Sequence, residues 1–242
     1  MPKTEKKEGM SYRAVVFDLF GTLVRSFTRQ EYDQVNARMA EAVGVPFPEF
    51  WQLVAETGHD WYVGHYSSKE DRLQDICHRW GIEADTAQIT QAAKYHYEFM
   101  ANAITLEREV LEVLTRLKAQ GPKLGLISNC GPCVPMLWEQ TQLYRLIDVS
   151  VFSCEERVTK PNIVIYEITA HQLEVQPQEC IYVGDGSSNE LTGAADAGML
   201  PILKRTDLDD VYDRDRPEVV GWNGAAIDRI VELPDLLRKM TR

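Results

Sequence analysis

The run Val15-Val16-Phe17-Asp18-Leu19-Phe20-Gly21-Thr22-Leu23 constrains this chain more than any other stretch of it. An unbroken apolar approach reads as a parallel strand buried on both faces, and the Gly-Thr pair beyond it as a turn. A carboxylate at the end of such a strand does nothing for folding, because a buried charge costs free energy unless it is paired. It is well placed for chemistry, because open α/β sheets bind ligands at the carboxyl ends of their strands. Asp18 therefore points to an α/β protein with a site at one sheet rim. Phe20, two residues on, stands where a second carboxylate would be useful.

The chain has 242 residues, enough for one large domain or for a domain with a smaller companion. Its 44% hydrophobic and 26% charged residues are those of an ordinary globular protein. With 26 basic against 37 acidic residues the net charge is −11, which argues against a nucleic-acid partner. A small anionic substrate stays open, since a local pocket can reverse the sign of the overall field. Residues 1–10 are charged and have no apolar core, so they read as a disordered tail and not a signal peptide. No apolar run reaches membrane-spanning length. Five cysteines, an odd number, suit a reducing compartment, and the expectation is a cytoplasmic monomer or homodimer.

After the first strand the pattern is helical for a long stretch. Tyr32, Val35, Met39 and Val43 share one face and stop at Gly44, and a second helix follows Pro48. Ser68-Lys69-Glu70-Asp71 opens a third, and a fourth spans residues 86–103. Strand and helix then alternate: a helix over 107–120, strands at 123–128, 149–152 and 180–185, a short helix at 189–198 and a last core strand at 201–203. The expected architecture is a doubly wound, mostly parallel, Rossmann-like α/β core over 11–27 and 104–242. A smaller helical bundle, 28–103, is inserted into it. Further strands end in Ser128-Asn129 and Asp185, and Lys160 stands at a helix start. If these converge with Asp18, they supply a nucleophilic carboxylate, a hydroxyl donor, a cation and a second carboxylate that can share a hard divalent ion.

These residues carry a resemblance to the haloacid dehalogenase superfamily of hydrolases. Four motifs occur in order: Asp18-Leu19-Phe20-Gly21-Thr22; Ser128-Asn129; Lys160-Pro161 with Tyr166; and Gly184-Asp185-Gly186-Ser187-Ser188-Asn189-Glu190, running into Gly193-Ala194 and Ala197-Gly198-Met199. The helical insertion resembles the family's cap, which closes over the rim. The resemblance implies that Asp18 is the nucleophile and that Lys160 orients and screens it. It implies that Thr22, Ser128 and Asn129 bind the transferring group. It also implies that Asp18, the Phe20 carbonyl, Asp185 and Glu190 hold Mg2+, with Glu190 where Asp is usual.

Phe20 departs from the pattern of most phosphatases in this family, which carry Asp there as the general acid and base. Three readings follow. The first is Mg2+-dependent hydrolysis of a phosphate whose leaving group needs little help, or whose acid comes from the inserted helices. The second is a 2-haloacid dehalogenase, which needs no metal and, by resemblance, has an aromatic residue at this position. The third is a non-catalytic small-anion binder. Asp185 favours the first, because dehalogenases of the family carry Ser there. Two carboxylates 4 Å apart at an effective dielectric of 20 repel by about 4 kcal/mol unless a cation lies between them.

Other features have plainer explanations. Cys130-Gly131-Pro132-Cys133 matches a redox dithiol, yet it follows the second motif of another fold. His59 or His65 can be offered as the missing acid, though surface or core roles suit them better. A carbon–phosphorus-cleaving reading needs a cap lysine, and neither Lys69 nor Lys94 is marked as one. Residues 207–218, with six acidic side chains, read as a solvated loop.

Overall fold

The computed structural model describes residues 12–240; the tail expected at 1–10 lies outside them. β1 (Ala14–Phe17) is followed by five helices: α1 (Arg29–Val43), α2 (Phe47–Glu56), α3 (Gly58–Tyr62), α4 (Lys69–Trp80) and α5 (Thr86–Ala103). The alternating part continues with α6 (Arg108–Ala119), β2 (Lys123–Ser128), α7 (Cys133–Trp138), β3 (Val149–Phe152), α8 (Ser153–Glu156) and α9 (Ile163–Gln172). It closes with β4 (Cys180–Gly184), α10 (Glu190–Asp196), β5 (Leu200–Lys204), β6 (Ala225–Ile227) and α11 (Leu233–Met240).

The strands form one sheet, ordered β3-β2-β1-β4-β5-β6, and every pair is parallel. β1 is central, with Val15 opposite both Leu124 and Ile181, and all four of its residues are fully buried. The chain runs outward from β1 through β2 to β3, then returns to β4 on β1's other side. The order therefore reverses between β1 and β4. In doubly wound sheets the ligand crevice opens outside the carboxyl ends of the strands at that point. Asp18 directly follows β1 and Asp185 directly follows β4.

Apolar layers cover both sheet faces. Val15, Phe17, Leu124, Leu126 and Val183 pack with α6 and α11 residues on one side, and Val16, Tyr182, Ile165 and Leu191 on the other. The five inserted helices have a core of their own, including Met39, Phe50, Leu73, Ile76 and Ile89. Their ends are set by local chemistry. Thr28 and Glu31 form a reciprocal capping box at the start of α1, Gly44 ends it in the left-handed region, and Ser68 caps α4 through the Asp71 N–H. Trp61, Tyr66 and Met100 belong instead to the main core, which seats the bundle on the sheet rim.

Two expectations are corrected. The insertion has five helices and not four, because Thr57 separates α2 from the short α3. β5 is not the last strand: Ala225–Ile227 adds β6 beside it. Three small and apolar residues are too few for a period-two pattern to register.

Candidate active site

The strand ends converge as the topology requires. Lys160, on the turn before α9, is buried with 3% exposure and donates from Nζ to Asp18 Oδ1 at 2.6 Å and to Glu190 Oε2 at 2.5 Å. Asp18 is 4% exposed, and its N–H donates to the Val183 carbonyl, continuing the strand pairing by one residue. Lys160 is itself held. The Asn129 side chain accepts from the Lys160 N–H at 2.9 Å and donates to the Lys160 carbonyl at 3.2 Å. Asn129, expected to bind the transferring group, thus has both ends of its amide committed to the backbone beneath the lysine.

Glu190 opens α10 and is fully buried. Besides Lys160 it accepts from the Tyr182 hydroxyl at 2.7 Å and from the Gly186 N–H at 3.0 Å. Tyr166, whose hydroxyl donates to the Glu190 carbonyl at 2.8 Å, fixes the same residue from behind. One ammonium serves two buried carboxylates. Burial would lower the Lys160 pKa, but Asp18 and Glu190 outweigh it and hold the amine above its usual range. Burial in turn pushes both carboxyls upward, Asp185 adding to the shift at Asp18, and Asp18 to that at Glu190.

Asp185 has a partner that the sequence reading missed. Arg216 Nη1 lies 2.5 Å from Asp185 Oδ2, with the side chains 2% and 0% exposed. The contact with Oδ2 is ionic, and the same nitrogen donates to the Asp185 carbonyl at 3.1 Å. Arg216 Nη2 also pairs with Asp213 at 3.1 Å. The mutual repulsion of Asp18 and Asp185, assigned from sequence to a metal alone, is thus opposed in part by a resident guanidinium. The segment expected to be a solvated loop folds over the site. Thr206 donates to the Gly21 carbonyl, Arg29 N–H to Asp210, and Tyr212 N–H to Phe27. Glu218 accepts from the N–H groups of Leu191 and Thr192, near the start of α10. Gly21 is required beneath it: its φ is +85°, and a Cβ there would lie 1.7 Å from Asp185 Oδ2.

A cavity of about 140 Å3 opens over these groups. Asp18, Phe20, Ser128, Asn129, Lys160, Asp213 and Arg216 line its core side; Phe27, Tyr32, Trp61, Tyr62, His96 and Met100 line the other. Ser128, at the end of β2, is 1% exposed. Thr22 is buried, its Oγ1 has no hydrogen-bond partner, and it is not among the lining residues. Phe20 packs against Phe27, ring centroids 4.8 Å apart, and continues an aromatic wall. His59 and His65 do not line the cavity. His96 does, with Nε2 3.4 Å from Cys133 Sγ, and burial with nearby Lys69 and Arg72 keeps it neutral. Lys69 is buried 5.4 Å from the Trp61 ring but is not a lining residue.

The Cys130–Cys133 pair does not have the environment of an activated dithiol. Cys133 faces His96, its thiol pushed up to about 12, and burial also raises Cys130, with the nearby Cys154 adding to the shift. A reactive thiol needs the opposite shift.

The donor set suits a hard divalent cation in part. Asp18, Asp185 and Glu190 each bring a carboxylate oxygen within 4.8 Å of the others. Asp18 is fixed through Oδ1, while Oδ2 is buried with no hydrogen-bond partner, so the carboxylate keeps an open edge toward a cation. All-oxygen donors at this spacing suit such an ion. Asp18 and Asp185 fit it; Glu190 stands behind them with both oxygens occupied.

Comparison with known proteins agrees with this geometry. A sequence model described as haloacid dehalogenase-like hydrolase matches residues 12–198. A glyceraldehyde 3-phosphate phosphatase of Methanopyrus kandleri is 28% identical over 95% of this chain and 99% of its own length. A (S)-2-haloacid dehalogenase of Pseudomonas putida is 29% identical over 60% of this chain and 67% of its own. The crystal structure of a 2-haloacid dehalogenase from Pseudomonas syringae pv. tomato superposes with a TM-score of 0.66 at 22% identity, covering 94% of this chain and 99% of that one. This last likeness concerns the fold alone.

Proposed function

This chain belongs to the haloacid dehalogenase-like hydrolases, and on that premise we propose that it hydrolyses a small phosphate ester through a covalent intermediate on Asp18. The observation that carries the reading is the second carboxylate: Asp185 reaches to within 4.8 Å of Asp18, whose own Oδ2 has no partner. Arg216 offsets only the Asp185 side of this pair, so it stays adverse for capturing an anionic substrate unless a cation also meets Asp18 Oδ2. The full-length similarity to a phosphatase supports the same choice.

Each residue has a role in this reading. Asp18 attacks phosphorus, held by Lys160 at Oδ1 so that rotation does not cost reactive geometry. Ser128 donates to a phosphoryl oxygen. Asn129 acts through Lys160, whose backbone it clasps at both ends. Asp18, Asp185 and the Phe20 carbonyl would hold Mg2+, with Glu190 fixing Lys160 behind them. When bound, the ion offsets charge on the phosphoryl oxygens. Thr22, buried and off the cavity wall, does not touch the transferring group in this reading. The inserted helices act as a cap, and a cavity of about 140 Å3 limits the substrate to a small molecule. The reading places the enzyme in the cytoplasm, as a monomer or homodimer, with no nucleic-acid or membrane partner. Among the described residues no helix is long and apolar enough to cross a membrane, and all five cysteines are free.

A second reading, hydrolysis of a 2-haloacid, has two observations in its favour. Arg216 offsets part of the Asp185 charge without a metal, and Phe20 with Phe27 forms an apolar wall suited to a carbon–halogen bond. A panel of small phosphate esters, acyl phosphates and 2-haloacids, each with Mg2+ and with chelator, separates the two. Phosphate release that stops with chelator is expected; halide release indifferent to chelator overturns the first reading.

A further inference from the structure

Phosphate ester hydrolysis at Asp18 leaves one task without a residue. The alkoxide that departs needs a proton, and Phe20 has none to give. The cavity offers few donors. His96 is held neutral, with its Nε2 against Cys133. The hydroxyls of Tyr62 and Tyr212 stand 3.5 Å apart; burial pushes Tyr62 above the usual phenol range, and the nearby Tyr62 together with burial does the same to Tyr212. Apart from Asp18, the one carboxyl among the described residues that line the cavity is Asp213.

The structure assigns Asp213 as the general acid and base that Phe20 cannot be. Several contacts place it. The backbone at residues 210–212 is tied to that at 27–29 by Arg29 N–H to the Asp210 carbonyl and Tyr212 N–H to the Phe27 carbonyl. This sets Asp213 at the end of the aromatic stack that begins at Phe20, through Phe27 and Tyr212. Arg216 holds Asp213 Oδ1 at 3.1 Å while its other nitrogen grips Asp185, which fixes the carboxyl relative to the reacting centre. The side chain keeps 37% exposure, so water and substrate reach it. Burial and the nearby Asp185 raise its pKa despite Arg216, the direction a proton donor requires.

The chemistry balances in two halves. In the first, the bond from phosphorus to the leaving oxygen breaks as the bond from Asp18 to phosphorus forms. The leaving oxygen takes the Asp213 proton and departs as an alcohol. In the second, water attacks phosphorus and gives a proton to the Asp213 carboxylate. The Asp18–phosphorus bond breaks, releasing inorganic phosphate and restoring both residues.

This inference rests on the phosphate ester reading, and the test separates the two. Asp213→Asn is assayed by kcat/KM, which reports the first half alone, on 4-nitrophenyl phosphate, whose leaving group needs no proton, and on a simple alkyl phosphate. The expected loss on the alkyl ester is about 10²-fold or more, the range for general acid catalysis, and at least tenfold greater than on the aryl ester. Equal losses on both, or none, overturn the assignment while the phosphatase reading stands. A wild-type enzyme that hydrolyses neither ester overturns both. A leaving-group series on the wild type probes the same proton transfer without a variant. A shallow dependence of rate on leaving-group basicity is expected, and a steep one refutes proton donation.

Discussion

Replacing Arg216 by methionine removes the cation from Asp185 while keeping most of the side-chain volume. In the wild type the guanidinium lies 2.5 Å from Asp185 Oδ2, and neither side chain is more than 2% exposed. Taking one partner from a buried pair leaves the other charge uncompensated, which costs about 3–5 kcal/mol. Here the stranded carboxylate also faces Asp18, so the upper half of that range is expected. The loss is a large share of a typical folding free energy of roughly 5–15 kcal/mol. For a protein of this size it lowers the melting temperature by roughly 8–20 °C. Denaturant unfolding of wild type and Arg216→Met, each with chelator and with saturating Mg2+, measures it. Mg2+ is expected to restore more stability to the variant than it adds to the wild type, because the ion meets a carboxylate pair with no resident cation. Arg216→Lys, which keeps one charge but cannot bridge Asp185 and Asp213, should fall between them. A loss under about 1 kcal/mol, or equal stabilisation of both proteins by Mg2+, refutes the reasoning.

Three further outcomes follow from particular contacts. Asn129→Ala frees the Lys160 backbone at both ends, so kcat should fall by about 10²-fold through misplacement of Lys160, with KM moving much less; an equal rise in KM would instead mean that Asn129 touches substrate. Gly131→Ala puts a Cβ 1.9 Å from the Trp61 ring, so denaturant unfolding should show a loss of about 1–3 kcal/mol and steady-state kinetics a changed KM, since Trp61 lines the cavity; unaltered stability and KM would mean that the contact relaxes freely. Cys133, its thiol pushed up to about 12 by burial, is expected to resist alkylation at neutral pH until the protein is denatured, as followed by mass spectrometry; rapid labelling of the folded protein would restore a redox role.

Much of this site was legible in the chain because strand ends announce themselves. Apolar runs that stop at Asp18, Ser128 and Asp185 predict both a parallel sheet and a common rim, and all three residues stand there. Lys160 was legible through its place in a series of motifs, although its distance to Asp18 was not. Arg216 was not legible. It lies in a stretch of alternating acidic and basic residues whose composition is that of a solvated loop, and its partner is 31 positions away. Nothing local distinguishes an arginine that faces water from one that faces a buried carboxylate. The available hint was an arginine placed directly before Pro217 among six acidic residues, and that hint is weak. Asp213 was hidden in the same way. The role of Asn129 was obscured for a different reason: an amide beside a catalytic strand end can face substrate or backbone, and only the Lys160 turn decides.

Asp18 is the group that must take up phosphoryl if the proposed chemistry is right. Wild type and Asp18→Asn, mixed with a phosphate ester substrate and Mg2+ and quenched in acid within a single turnover, can be digested and the peptide bearing residue 18 weighed. The wild-type peptide is expected to carry one added phosphoryl group and the variant none. A wild-type peptide without phosphoryl during productive turnover would contradict that role.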